Sequence, residues 1–170
     1  MKEILVLTGA CGVGKSTISR KWAEMKKGVV IESDHFRNWI YNKKYKRFSN
    51  QEESLVANLT FVTTKEYLKH NMPVAIENVW TPLGLDKLKK DIENEFSDLK
   101  LIFVWLKCSL EENHRRDGLR LSENQMKTRV DIVNAELSEY KWSKYLNILD
   151  TSYLTEKETL NRIMELFNQH

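Results

Sequence analysis

The sequence predicts an α/β fold in which a five-stranded parallel sheet carries helices on both faces. Two observations favour it. The chain contains five short apolar runs, and segments whose apolar residues recur at helical spacing lie between them. Strands that alternate with helices in this way are typical of parallel sheets, whose connections cross over one face or the other. The 170 residues, 41% of them hydrophobic and 30% charged, suit a single compact domain spanning 1–170.

Each predicted strand is a short, mainly apolar run. Pro73 precedes the third run, where a residue without an N–H fits the start of a strand. The runs cover 4–7, 29–31, 74–76, 101–106 and 146–149. Because ligands of such sheets bind at the carboxyl ends of the strands, we expect the functional residues directly after these runs.

Capping signals mark the starts of the predicted helices. Ser49 precedes Glu52 by three residues, the spacing of a capping box in which each side chain bonds the other residue's backbone N–H. Thr81 is followed by Pro82, and proline is favoured at the first helical position. The same three-residue spacing predicts capping boxes at Ser109 with Glu112, at Ser122 with Gln125, and at Thr155 with Glu158.

Apolar periodicity predicts which helix faces are buried. The helix after Ser49 presents Leu55, Leu59 and Val62 on one face. A helix expected to begin at Ser122 has a stripe that comprises Met126, Val130, Val133, Leu137 and Tyr140. The other predicted helices carry theirs at Ile18, Trp22 and Met25, at Leu85, Leu88, Ile92 and Phe96, and at Leu160, Ile163 and Phe167.

The segment 9–16, GACGVGKS, matches the phosphate-binding pattern GxxxxGK[ST] in full and lies between a predicted strand and a predicted helix. Glycines let backbone N–H groups surround a phosphate, and the following helix directs its positive dipole end at it. Lys15 is expected to reach the β- and γ-phosphates of ATP, Ser16 to ligate Mg²⁺, and Thr17 to support it. The other nucleotide-binding residues predicted here are Gly9, Gly12, Val13 and Gly14.

Acidic and basic residues follow the second strand. A hydroxyl that attacks a phosphate needs an acceptor for its proton, and Asp34 is the candidate base. Arg37, one helical turn further, is placed to bind the acceptor bidentately, and Glu32 to hold a water molecule of the magnesium ion. The alternative is that Ser33 or Asp34 only caps a short helix.

Glu77 and Trp80 follow the third strand and are the remaining candidates for acceptor binding. Glu77 is placed to orient either the acceptor or a magnesium-bound water, and Trp80 to line the pocket. The alternative is that these are polar residues meeting solvent at a strand end. The sequence leaves the two alternatives open.

Three arginines follow the fourth strand, between two predicted helix starts. Arg116 and Arg120 are expected to stabilise the charge that spreads over a transferred phosphoryl group, and Arg115 to contact the nucleotide. Such arginines act from a flap that closes over the site, so residues 109–122 are predicted to form a small lid. The alternative is a solvated basic turn.

The phosphate loop, followed by Glu32, Asp34 and Arg37, resembles P-loop kinases of the nucleoside-monophosphate-kinase group. The nearest branches are shikimate kinase, gluconate kinase, chloramphenicol phosphotransferase and the polynucleotide 5′-kinase domain. The resemblance implies a three-layer P-loop NTPase fold. It also implies that the acid at Asp34 contacts the acceptor hydroxyl, that Glu32 lies near the metal, and that residues 150–152 contact adenine. The chain departs from polynucleotide kinases at 77–80, where they have an Asp-Ala-Thr-Asn-like segment.

The sequence therefore predicts an ATP- and Mg²⁺-dependent kinase that phosphorylates a hydroxyl of a small molecule. One alternative is a polynucleotide 5′-hydroxyl kinase, for which the basic run 43–47 is a candidate phosphate-tracking patch. The other is a nucleotide-gated regulatory ATPase. A GTPase is not expected, because residues 42–45 lack the aspartate of the guanine-reading NKxD pattern and lie too early in the chain.

Composition narrows the expected partners. The net charge of +3 is compatible with an anionic ligand in a cleft and is not a nucleic-acid signature by itself. Cys11 and Cys108 have no CxxC or CxxH neighbour, so no zinc site is expected. The apolar run at 4–7 is too short for a signal peptide. A cytoplasmic protein without a membrane partner is expected.

Overall fold

A computed structural model describes residues 2–169, one residue short of the predicted domain at each end. It confirms the predicted five-stranded parallel sheet with helices on both faces, and the strand order is β2-β3-β1-β4-β5. The strands are β1 (Lys2–Thr8), β2 (Val29–Glu32), β3 (Val74–Glu77), β4 (Leu99–Lys107) and β5 (Asn147–Asp150).

Helices connect the strands, and four of them begin where the capping signals predict. Thr81 precedes a helix that begins at Pro82, and its side-chain oxygen accepts a hydrogen bond from the Gly84 N–H. The side-chain oxygens of Ser49, Ser109 and Thr155 accept hydrogen bonds from the backbone N–H groups of Glu52, Glu112 and Glu158. The helices are α1 (Lys15–Lys26), α2 (Asp34–Asn38), α3 (Asn50–Lys69), α4 (Pro82–Glu95), α5 (Leu110–Gly118), α6 (Arg129–Glu139) and α7 (Glu156–Gln169).

The helix predicted to begin at Ser122 is wrong. Ser122–Asn124 is a single 3-10 turn, and α6 begins only at Arg129. The Asp117 carboxylate accepts hydrogen bonds from the N–H groups of Met126 and Lys127, at 2.9 to 3.0 Å. Lys127 also has a left-handed φ of 49°, so no helix can run through it. The buried positions of the predicted stripe are Val130, Val133 and Leu137.

The predicted buried face of α3 is also wrong. Leu59 and Val62 are exposed. Two acidic side chains set the rotation of this helix: Glu53 accepts from the hydroxyl of Thr81, just before α4, and Glu52 pairs with Arg37 of α2. The buried face that follows from this rotation comprises Val56, Ala57, Thr60, Thr64 and Leu68. Met25, predicted on the buried face of α1, is exposed as well.

The core lies on both sides of β1, whose residues 4–7 are fully or almost fully buried. Trp22 of α1 stacks on Phe167 of α7 with ring centroids 5.6 Å apart, which fixes these helices on one face of the sheet. The register pairs Glu77 with both Leu7 and Glu32. The carboxyl ends of β1, β2 and β3 therefore meet at one edge. Within residues 2–169, no helix combines the length and apolarity that crossing a membrane requires.

Candidate active site

The loop between β1 and α1 has the backbone conformation that its glycines predict. Gly9, Gly12 and Gly14 have φ values of 142°, 85° and 100°, which other residues rarely adopt. A Cβ on Gly9 would lie 2.3 Å from the Leu106 carbonyl oxygen, and one on Gly12 would lie 2.6 Å from Asn113 Nδ2. The loop is therefore packed against β4 and α5 as tightly as glycine allows.

Lys15 begins α1, and its side chain turns back over the loop. Its Nζ donates hydrogen bonds to the carbonyl oxygens of Gly9 and Ala10, at 3.0 and 2.9 Å. Burial lowers the pKa of Lys15 below its ordinary value, while the carboxylate of Glu77 opposes that shift. Arg120 and Asp34 also act on the pKa of Lys15, which places both within electrostatic range of the loop.

Ser16 and Glu77 form a pair at the end of the loop. The Ser16 hydroxyl donates a 2.6 Å hydrogen bond to Glu77 Oε1, and Glu77 is buried. A hydroxyl and a carboxylate side by side are the oxygen ligands that Mg²⁺ accepts when phosphates supply the remainder. Glu77, predicted to orient either the acceptor or a magnesium-bound water, thus lies beside the predicted metal ligand Ser16.

Glu32, the other predicted metal residue, has different partners. Its carboxylate accepts a 2.6 Å hydrogen bond from Arg20 Nη2 and lies 3.2 Å from His35 Nε2. Burial raises the pKa of Glu32, but the hydrogen bonds and charges of Arg20 and His35 together outweigh it, so that the pKa of this carboxyl is lowered. Although its strand position is beside Glu77, the side chain is held toward α1 and α2.

Asp34 lies in the first turn of α2, and its side chain is 52% exposed. The alternative in which Ser33 caps this helix with its side chain is not realised. The Ser33 hydroxyl instead accepts a 2.9 Å hydrogen bond from Thr60. The open position of Asp34 leaves its carboxylate accessible to an acceptor.

Arg37 has a different environment from the predicted one. Its side chain is only 1% exposed, because its guanidinium lies between the carboxylates of Glu52 and Glu53. Nε donates to Glu52 Oε2 at 3.0 Å, and Nη2 pairs with Glu53. Nη1 donates to Asp34 Oδ1 at 2.9 Å and to Asn78 Oδ1 at 3.2 Å. Arg37 thus fixes Asp34 and is not open to an acceptor.

Replacing Arg37 with methionine should leave Glu52 and Glu53 buried without their cation. Breaking a buried ion pair from one side costs about 3–5 kcal/mol, so we expect the free energy of unfolding in urea to fall by about that much. Arg162→Met is the matched control, because Arg162 makes an exposed pair with Glu165 of a kind worth at most about 1 kcal/mol. Equal, small losses in both variants would contradict a structural role for the buried group.

Trp80 belongs to the core and not to a pocket. Its side chain is fully buried, and its backbone N–H donates to the Thr8 hydroxyl at 3.2 Å. A Cβ on Gly84 would lie 3.0 Å from the Trp80 ring, so α4 packs closely over the indole. The prediction that Trp80 lines the acceptor pocket is therefore corrected, since no ligand can reach it without opening this packing.

The three predicted lid arginines have distinct surroundings. Arg115 makes a two-pronged contact with Glu112, at 2.6 and 2.8 Å. Arg116 donates to Glu112 as well, and together these bonds lower the pKa of the Glu112 carboxyl to about 2. Arg120 is more loosely held: Nη1 lies 3.3 Å from the Asn124 carbonyl and 3.7 Å from Asp117 Oδ1.

Arg116 ties α5 to two other segments. Its Nη1 donates to the carbonyl of Val13 in the phosphate loop at 3.2 Å. The same guanidinium donates to the Thr151 hydroxyl and carbonyl, at 3.0 and 2.6 Å. Asn113, one turn earlier, donates to the Cys11 carbonyl at 2.7 Å. Helix α5 therefore fixes the far side of the phosphate loop.

A cavity of about 970 Å³ opens beside the phosphate loop. Its walls are residues 12–18, the α5 arginines with Arg120, and the segment 151–157. This volume suits a nucleotide, and the walls combine the phosphate loop with the exposed ring of Tyr153. This cavity is not lined by the residues predicted to bind the acceptor, which are Asp34, Arg37, Glu77 and Trp80.

A family model described as an AAA domain matches residues 4–141. The chain belongs to this family. The match includes the phosphate loop, Asp34, Glu77 and the α5 arginines. No curated protein matches the chain.

Solved structures share the fold of this AAA domain. A sugar kinase from Janibacter sp. HTCC2649 superposes with a TM-score of 0.76 at 14% identity, over 99% of this chain and 95% of that one. A gluconokinase from Sinorhizobium meliloti 1021 gives 0.71 at 18% identity, over 98% and 92%. The Deinococcus radiodurans tunicamycin resistance protein gives 0.67 at 15%, over 97% and 95%. These likenesses confirm the predicted P-loop fold.

Sequence reasoning missed three groups that shape the site of this AAA domain. Glu52 was assigned only to a helix start and Glu53 was assigned no role, although both neutralise Arg37. Asn113 was assigned no role, although it holds the Cys11 carbonyl. Two adjacent acids at the start of a helix are a signal that could have pointed to this contact, because acids that become buried require a cation as partner. Nothing local in the sequence points to Asn113.

Proposed function

We propose that the protein is an ATP- and Mg²⁺-dependent kinase that transfers the γ-phosphate to a hydroxyl of a small molecule. The observation that carries the proposal is an accessible carboxylate, Asp34, held by a buried arginine at the strand edge that also bears the phosphate loop. A nucleotide switch has no use for such an oriented proton acceptor, whereas a hydroxyl that attacks phosphorus requires one.

In this proposal, different residues bind the phosphates, the metal ion and the acceptor. The loop N–H groups and Lys15 bind the phosphates, and Asp34 accepts the proton of the attacking hydroxyl. Ser16 and Glu77 would hold Mg²⁺, which would neutralise charge on the nucleotide phosphates. The cavity beside the loop accommodates the nucleoside, with Gly12, Val13, Gly14, Thr17 and Arg115 on its walls.

The comparisons support this assignment, since two of the similar structures are described as a sugar kinase and a gluconokinase. We further propose that residues 109–122 act as the lid of a single domain and that the protein works in the cytoplasm. The test is transfer of label from γ-labelled ATP to a panel of sugars, sugar acids, nucleosides and 5′-hydroxyl oligonucleotides, with and without Mg²⁺. ATP hydrolysis alone, with no acceptor labelled, would favour the regulatory ATPase instead.

The lid arginines should differ in kinetic effect. Arg120→Ala should lower kcat by more than it weakens ATP binding, because a loosely held arginine can move to the transferring phosphoryl group. Arg116→Ala should also weaken ATP binding, since it removes the bonds to Val13 and Thr151. Steady-state kinetics and calorimetry measure both quantities. An equal loss of kcat and affinity in Arg120→Ala, or no loss of either, would favour a plain surface turn.

A further inference from the structure

The loop between α2 and α3, residues 39–49, has a larger net positive charge than the chain as a whole. Lys43, Lys44, Lys46 and Arg47 are all exposed in it, whereas the net charge of the chain is +3. No acidic residue occurs between 35 and 51 in the sequence. The positive charge of this loop is therefore not cancelled within the loop. One of its basic residues, Arg47, lies beside Asp34 in the first turn of α2.

Arg37 cannot serve as the contact for an anionic acceptor. Its guanidinium faces two buried carboxylates, Glu52 and Glu53, and the ring of Phe48 lies over it at 4.6 Å. The charge of Arg37 is thus more than neutralised inside the protein. Any cation that meets an acceptor at Asp34 must come from elsewhere.

Arg47 is the cation that the fold places there. Its side chain is 49% exposed, and its Nη2 lies 3.7 Å from Asp34 Oδ2. Nη2 also donates to Asn38 Oδ1 at 3.1 Å. Within residues 2–169, Nε and Nη1 of this guanidinium make no hydrogen bond. Arg47 therefore offers unused donors next to the candidate base.

The backbone of the loop next to Arg47 is fixed by contacts with α3. Phe48 adopts a left-handed φ of 60°, and its N–H donates to the buried Glu52 carboxylate. The phenyl ring lies near two guanidinium groups, with its centroid 4.6 Å from Cζ of Arg37 and 5.9 Å from Cζ of Arg47. The same buried acid that neutralises Arg37 thus anchors the turn that presents Arg47.

We propose that the acceptor carries an oxyanion, a carboxylate or a phosphate monoester, and that Arg47 binds it. The inference rests on the proposed kinase function, whose acceptor class it narrows. A guanidinium with free donors binds either oxyanion through two parallel hydrogen bonds. Because Arg47 is one ion-pair distance from Asp34, the anionic group must lie within a few bonds of the reacting hydroxyl. Lys43, Lys44 and Lys46 attract the acceptor without fixing it.

Binding of ligand pairs that differ only in charge tests the proposal. The protein is saturated with Mg²⁺–ADP so that the phosphate loop is filled, and fluorescence of exposed Trp39 reports binding. The pairs are sugar acids with their parent sugars and nucleoside 3′-phosphates with their nucleosides, and inorganic phosphate serves as competitor. A Trp39→Phe protein measures the background fluorescence of the other four tryptophans.

We expect at least one anionic member to bind more tightly than its neutral partner by about ten- to hundredfold. Arg47→Gln should remove that preference, Arg47→Lys should retain part of it, and Arg162→Gln, an equal charge change at an exposed site on α7, should leave it intact. Which pair responds distinguishes carboxylate from phosphate.

Equal binding of charged and neutral partners would overturn the proposal, and so would a preference that survives Arg47→Gln. Tight binding of oligonucleotides that weakens steeply with salt would also overturn it, in favour of a nucleic-acid acceptor. These measurements need no turnover. A protein that binds anions through Arg47 but labels no acceptor would contradict the kinase function alone.

Discussion

Lys15→Ala should lose most of the affinity for Mg²⁺–ATP, by about ten- to hundredfold. A hydrogen bond to a charged partner contributes about 1.5–3 kcal/mol, and the Lys15 ammonium is the charged group buried in the loop. Its low exposure makes the interaction stronger than a surface contact, since water screens it less. Calorimetric titration with Mg²⁺–ATP measures the change directly.

The control for Lys15→Ala must separate binding from loop geometry. Lys15 also donates to the carbonyls of Gly9 and Ala10, so the thermal midpoint of the variant is needed beside its affinity. Lys65→Ala, which removes an ion pair between α3 and α4, is the matched charge change away from the loop. ATP affinity that is unchanged in a folded Lys15→Ala protein would refute the phosphate-binding role of this loop.

Asp34→Asn should lower kcat by on the order of 10² or more while ATP affinity stays near that of the wild type. The amide keeps the size of the carboxylate and an oxygen that accepts from Arg37, but it takes no proton from a hydroxyl. The loss is expected in turnover because Asp34 lies outside the nucleotide cavity.

The matched control is Asp91→Asn, which changes an aspartate that pairs with Lys87 on the surface of α4. Its kcat should equal that of the wild type. If Asp34→Asn also retains wild-type turnover with an acceptor that the enzyme phosphorylates, Asp34 only contributes to the start of α2, and the proton acceptor must be sought elsewhere.

The features that the sequence predicted well are local. The phosphate loop occupies eight consecutive residues, and its glycines dictate its backbone conformation. The strand runs were equally clear, because residues 4–7 are buried on both faces of a central strand. Such signals need no knowledge of what is distant in the sequence.

The features that sequence reasoning missed depend on distant partners. Arg37 was assigned to the acceptor because Glu52 and Glu53 lie a loop and a helix start away. The face of α3 was misassigned because Thr60 is buried through its bond to Ser33, and apolar periodicity does not register a buried threonine. For the segment that contains Trp80, the sequence left open a pocket wall or a strand end meeting solvent, and neither alternative is the core position that packing against α4 gives it.

The strand order β2-β3-β1-β4-β5 also affects how the chain folds. Leu5 pairs with Ala75 on one side and with Ile102 on the other, and every neighbouring pair of strands has at least one helix between its members in the sequence. No hairpin can form early, and long loops must close before a strand gains a partner. During synthesis the central strand β1 emerges before β3 and β4, so both of its edges stay unpaired until those strands follow. We therefore expect slow folding and an interval in which nascent chains are prone to aggregate.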